Sequence, residues 1–225
     1  MTSSAAVSWN AVVVPSSPLM VGPLGFASVV WSAGSAAPRA DADPLGNVRA
    51  LALDAVRWLV SASPSRVVVL CAPADPSNVA RGVTVPLGER VARSLLSAAG
   101  FTGEVVIGTS SEWSSRPSAG EAVPEGTGVL VVGDGSARRG EKAPGHLDER
   151  AFDFDASVEK ALRDCDATAL SALDPSLGAD LLAAGVPAFR ALGSLPGAAA
   201  HSAVVDYAGD PLGVQYWIVR WPCAS

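Results

Sequence analysis

Short β-branched runs alternate with amphipathic stretches along most of this chain. Ala11 to Val14 is an apolar run stopped by Pro15, and Phe26 to Trp31 is a second one ahead of the Ala/Ser/Pro/Asp-rich stretch from Ser32 to Leu45. That stretch reads as a linker rather than a lid, because it carries little aromatic or basic content. From Asn47, a good N-cap, the residues Leu51, Leu53, Ala55, Val56, Leu59 and Val60 fall largely on one helical face. Arg66 to Leu70 predicts a buried strand, Glu89 to Ala99 a helix ended by Gly100, and Glu104 to Ile107 a further strand. Val129 to Val132 reads as a strand covered on both faces.

The second half turns helical. Asp155 is placed to cap SVEKALRDC, Pro175 to start SLGADLLAA, and Gly185 to end it, while Pro187 to Gly193 has the Pro-first, Gly-last form of a short helix. His201 to Tyr207 and Val214 to Trp221 are β-rich and joined by Gly209-Asp210-Pro211-Leu212-Gly213, which predicts a hairpin. The whole pattern predicts an α/β fold, a three-layer α/β/α arrangement with a central mixed sheet and a C-terminal β-hairpin. With 225 residues and no internal repeat, one domain over 1–225 is expected.

Composition narrows the partners. A hydrophobic fraction of 49% with 17% charged residues excludes the disordered class, and a net charge of −6 argues against nucleic acid or an anionic membrane surface. A small molecule or another protein is the expected partner. Cys71, Cys165 and Cys223 are odd in number and far apart, so neither a disulfide framework nor a zinc site is indicated. The N-terminal stretch lacks a basic region and a signal core, and no run of about 18 apolar residues marks a membrane span, so a cytoplasmic setting is expected.

The residue types that carry chemistry concentrate after Val132. Asp134 lies between Gly133 and Gly135, followed by Ser136, Arg138, Arg139 and His146, and polar loops at strand ends are where α/β sheets bind ligands. Asp134 is either a hydrogen-bond acceptor for a ligand or a loop brace. Arg138 and Arg139 either clamp an anion bidentately or form surface pairs with Glu141, Asp148 and Glu149. His146 reads as an exposed loop histidine, and His201 as structural. Ser16 and Ser17, between Pro15 and Pro18, either meet a ligand's polar edge or form a turn pair. Asp75 and Asp206, near strand ends, are candidates for the same cleft. No G-x-S-x-G elbow surrounds either serine, the GDGS run lacks the Walker spacing, and with two histidines a Ser-His-Asp triad has few ways to form. Trp217, Val219 and Trp221 share one face of the last strand, a stripe that suits core packing or an oligomer interface.

Several of these segments, in this order, carry a resemblance. VVVPSSPLM, RVVVLCAPAD, VVGDGSARRG, the helical stretch from Phe152 to Gly193, and DYAGDPLGVQYWIVRW together resemble the catalytic-subunit domain of class III extradiol ring-cleavage dioxygenases. The resemblance implies that fold and a ferrous centre held by two histidines and a glutamate, with a further histidine as base. Matched by position, the histidine ligands fall on Ser16 and Ala74 and the base on Ala137, while Asp180 is the one acid in the stretch Gly178 to Phe189 where the third ligand belongs. A hydroxyl and methyl groups do not hold ferrous iron, so no metal and no catalytic residue is expected, and the fold is implied more strongly than the reaction. The resulting expectation is a metal-free, catalytically degenerate relative that keeps a small-molecule pocket. The alternative is a metal-independent enzyme for a small anionic substrate using Asp134, Arg138, Arg139 and His146.

Overall fold

Strand β1 (Trp9–Val14) is buried on both faces because its alternating residues pack into core layers on either side of the sheet, each covered by helices. The computed structural model describes residues 9–20, 43, 45–109, 123–198 and 202–223, so the apolar segment at 26–31, most of the stretch 32–45, and His201 lie outside the described residues. The described elements run β1, a 3-10 turn (Pro18–Met20), α1 (Gly46–Ser61), β2 (Arg66–Cys71), α2 (Pro76–Val79), α3 (Leu87–Ala98), β3 (Glu104–Thr109) and β4 (Thr127–Val132). They continue with α4 (Arg150–Arg163), α5 (Ala167–Ser171), α6 (Pro175–Asp180), α7 (Val186–Gly193), β5 (Val204–Gly209) and β6 (Tyr216–Cys223).

One six-stranded sheet has the order β3-β2-β4-β1-β6-β5. β3, β2, β4 and β1 are mutually parallel, β6 pairs antiparallel with β1, and β5 closes the predicted hairpin against β6. The mixed α/β sheet and terminal hairpin are therefore as the alternating pattern predicts. Val12, Val14, Val67, Val69, Leu130 and Val132 point to the face covered by α1 and α3. Their alternating neighbours Ala11, Val13, Val68, Leu70, Val129 and Val131 pack under α4 to α7, together with Trp217, Val219 and Trp221. The tryptophan stripe is core: Trp217 meets Phe189 edge-on at 5.9 Å, and Trp221 donates to the Leu162 carbonyl at 2.6 Å.

Handedness explains which helices go where. The chain steps from β1 through β2 to β3 with α1 and α3 on one face, then from β4 to β5 in the opposite direction with α4 to α7 on the other. The exits of adjacent parallel strands β1 and β4 therefore diverge to opposite faces. That point is where open α/β sheets form a crevice.

Some local expectations are corrected. α1 starts at Gly46 with Leu45 as its cap residue, so Asn47 lies inside the helix. Asp155 caps nothing, because α4 begins at Arg150 and carries Asp155 buried in its second turn. α6 stops at Asp180, and Gly185 is the cap residue of α7 rather than the end of α6.

Candidate functional site at the carboxyl edge

Two strand ends meet at the crevice. After β1, Ser16 donates its backbone N–H to Oδ1 of Asp134 at 2.6 Å and its hydroxyl to Oδ2 at 2.9 Å, joining segments 118 residues apart. Burial pushes the Asp134 carboxyl up to about 6, against the opposing effect of the two Ser16 bonds. Ser17 turns the other way: it is buried and shares a hydrogen bond with Tyr216. The adjacent serines thus divide the two roles weighed for them, Ser16 toward the crevice and Ser17 into the fold.

The Gly-rich turn serves close approach. The Gly133 N–H donates to the Val14 carbonyl at 3.0 Å, and the Asp134 carbonyl accepts from the Gly185 N–H at 2.8 Å. A Cβ on Gly133 would stand 2.5 Å from the Gly185 Cα, and one on Gly135 would stand 2.6 Å from the Trp217 ring. Neither glycine has positive φ, so lack of a side chain is what the turn requires.

A cleft of about 330 Å³ opens beside Ser16 at the ends of β1, β2 and β4. Ser16, Ala74, Asp75, Asn78, Arg90 and Val132 are among the residues that line it. Asp75 is exposed and caps α2, accepting from the N–H groups of Ser77 at 2.8 Å and Asn78 at 3.3 Å and from the Ser77 hydroxyl. The hydrogen bonds from Ser77 hold its carboxyl below the usual range. Asp206 does not share this cleft. It lies on β5 and pairs with Arg220, whose Nε is 2.7 Å from Oδ2.

Ser136 and Arg139, also after β4, belong to a separate network around the buried Asp155. Ser136, fully buried, gives its backbone N–H to Asp155 at 2.9 Å and its hydroxyl to the other carboxylate oxygen. Arg139 contacts that oxygen at 3.2 Å, reaches Asp210 of the hairpin turn at 2.7 Å, and lies over the Phe152 ring at 4.7 Å. Arg139 is thus spent on the fold, and its partners are Asp155 and Asp210 rather than Glu141, Asp148 or Glu149. Burial raises the Asp155 carboxyl, with Ser136 and Arg139 acting against that rise.

Arg138 and His146 stand apart from the cleft. Arg138 packs its stem where a Gly145 side chain would go, and its Nε is buried without a hydrogen-bond partner. His146 sits in a left-handed turn at φ 61°, bonded through Nδ1 to the Glu141 carbonyl at 2.9 Å, and is 71% exposed. Ser16 and Asp75 are therefore the two sequence-level candidates in the cleft wall, with Asp134 directly behind Ser16. Asn78 and Arg90 were missed, and the signals were slight: a polar first turn on α3, and an Asp-Pro start to a helix of four residues.

No family model matches the chain, and no curated protein matches it.

Proposed function

We propose that this chain is a metal-free relative of the class III extradiol dioxygenase catalytic subunit, a cytoplasmic protein that keeps a small-molecule cleft without the ring-cleaving chemistry. One observation carries the reading. Ser16 and Ala74, the positions that by resemblance correspond to two histidine ligands, lie after different strands yet line the same cleft. A ferrous ion does not fit what stands there. The Ser16 hydroxyl is donated to Asp134, Ala74 offers a methyl group, and the Asp75 carboxylate is engaged with the first turn of α2. Among the described residues no three His, Cys, Asp or Glu side chains gather as a metal-binding group. Asp180, the one acid in the stretch assigned to the third ligand, is 3.4 Å from Arg150.

The volume suits a small molecule, since ligand pockets start at about 300 Å³. An enzyme that clamps a small anion with Arg138, Arg139 and His146 is supported less well, because none of the three lines the cleft and Arg139 is paired within the fold. Among the described residues no helix is long and apolar enough to cross a membrane. Purification with ferrous iron followed by metal analysis and a catechol-consumption assay tests the reading: substoichiometric iron and no ring-opened product are expected, and stoichiometric iron with product overturns it. Melting-temperature shifts against small aromatic acids and phosphorylated metabolites then identify what the cleft binds.

A further inference from the structure

The pair Ser16 and Asp134 has the geometry of a nucleophile and its base. Ser16 lies in the cleft wall, while Asp134, to which its hydroxyl donates, is not part of the lining. The hydroxyl proton points at Oδ2 over 2.9 Å, inside the range of about 2.6–3.2 Å that proton transfer requires. The second carboxylate oxygen is held by the Ser16 N–H at 2.6 Å, so the base cannot rotate away from the hydroxyl it serves. Asp134 is fixed from behind as well, through the Gly185 N–H on its carbonyl and through Gly133, against which Gly185 packs too closely for any side chain. Among the described residues His146 is exposed on a separate loop, and the base within reach of this serine is a carboxylate.

The geometry points to Ser16 as a nucleophile for acyl transfer, with Asp134 as general base, acting on small carboxylic esters that enter the cleft beside Asn78 and Arg90. In the first half-reaction the Ser16 Oγ bonds to the acyl carbon as its proton passes to Asp134. The ester C–O bond then breaks, and the proton returns from Asp134 through a bridging water to the departing alcohol. In the second half-reaction a water attacks the acyl-serine and passes its proton along the same bridge to Asp134, which restores it to the Ser16 Oγ as the carboxylic acid leaves. No oxidant, reductant or metal enters the balance. Burial that raises the Asp134 carboxyl to about 6 places its conjugate acid within reach of neutral conditions, which suits a group that must both take and return a proton. This inference is independent of the iron reading: the metal and catechol assays do not bear on it.

The alternative role for the same two bonds is a brace between strand ends, and covalent labelling separates the two. The full folded chain is treated with a fluorophosphonate probe, the adduct is mapped by peptide mass spectrometry, and hydrolysis of p-nitrophenyl butyrate is followed in parallel. An adduct on Ser16 is expected, with ester hydrolysis lowered at least about a hundredfold by Ser16→Ala and by Asp134→Asn. Should either variant fail to fold, the wild-type labelling decides alone. Absence of a Ser16 adduct on the native chain overturns the proposal, as does hydrolysis that a folded Ser16→Ala variant retains in full.

Discussion

Asp155 accepts both hydrogen bonds that Ser136 has to give, across 19 residues, in a place where neither group reaches water. The carboxylate sits in α4 and the serine after β4, so the bonds fix the chain leaving the sheet against the helix that covers it. Arg139 extends the link to Asp210 in the hairpin turn. Asp155→Ala leaves a buried N–H and hydroxyl without an acceptor and strips Arg139 of one partner, a loss expected to cost about 3–5 kcal/mol. Urea unfolding of variant and wild type measures it, and a difference under about 1 kcal/mol would mean that water or rearrangement replaces the network.

Asp134 makes a contribution to stability of unusual sign. Its folded carboxyl is raised to about 6 from an ordinary 3.8, so the native state binds this proton more tightly than the unfolded chain does. The stability from this group is fully present below about 3.8 and lost as pH rises through about 6. Asp134→Asn removes the titration while keeping an acceptor for the Ser16 N–H. Relative to wild type, the variant is expected to gain up to about 3 kcal/mol between pH 4 and pH 8, from a shift of roughly two units. Burial raises Asp155 too, but that contribution is common to both proteins and drops out of the difference. Parallel unfolding curves across the pH range check this, and a pH-independent difference would sink it.

Gly133→Ala tests the close packing behind Asp134. The new methyl would stand 2.5 Å from the Gly185 backbone, with no flexible side chain to give way, so β4 and the start of α7 must separate. A loss of about 1–3 kcal/mol is expected, as for other overpacked sites. Gly140→Ala is the control, since no atom lies within 4 Å of its built Cβ. Equal melting temperatures for the two variants would refute the packing argument.

How much of this was legible beforehand follows from what each signal depends on. The strands announced themselves because β-branched residues on both faces, as in Val129 to Val132, form a run that only a covered strand can bury. The tryptophan stripe on β6 was visible for the same reason, through period-two alternation. Asp155 was misread because a local rule, an acid before an apolar run, competed with a partner 19 residues upstream that no local pattern reveals. Arg139 fared likewise: its sequence neighbours Glu141 and Asp148 were the obvious partners, whereas topology brings Asp210 of the hairpin to it. The Gly133-Asp134-Gly135 turn marked the right place for a less apparent reason, since the glycines answer to Gly185 and Trp217 rather than to backbone conformation. The Ser16 to Asp134 contact was beyond reach, because it exists only once β1 and β4 are paired in register with Val14 opposite Val132.

Cys71 and Cys165 should be chemically silent in the folded protein. Burial, then the nearby Glu89 carboxylate, push the Cys71 thiol up to about 11, and burial followed by Asp164 does the same for Cys165. Both are buried and in no disulfide, Cys71 beneath α3 where a Gly88 side chain would collide with its Cβ at 2.5 Å. At pH 8 a thiol titrating near 11 is thiolate in about one part in a thousand, and the thiolate is the nucleophile. Iodoacetamide applied to the native chain at pH 8 should therefore leave Cys71 and Cys165 unmodified, and the same treatment in concentrated urea should alkylate both. Peptide mapping assigns the label by position, which separates these two from Cys223. Rapid modification of Cys71 under native conditions would show that α3 lifts from β2 often enough to expose it, and would locate a weak point beside the cleft that Arg90 and Ser16 line.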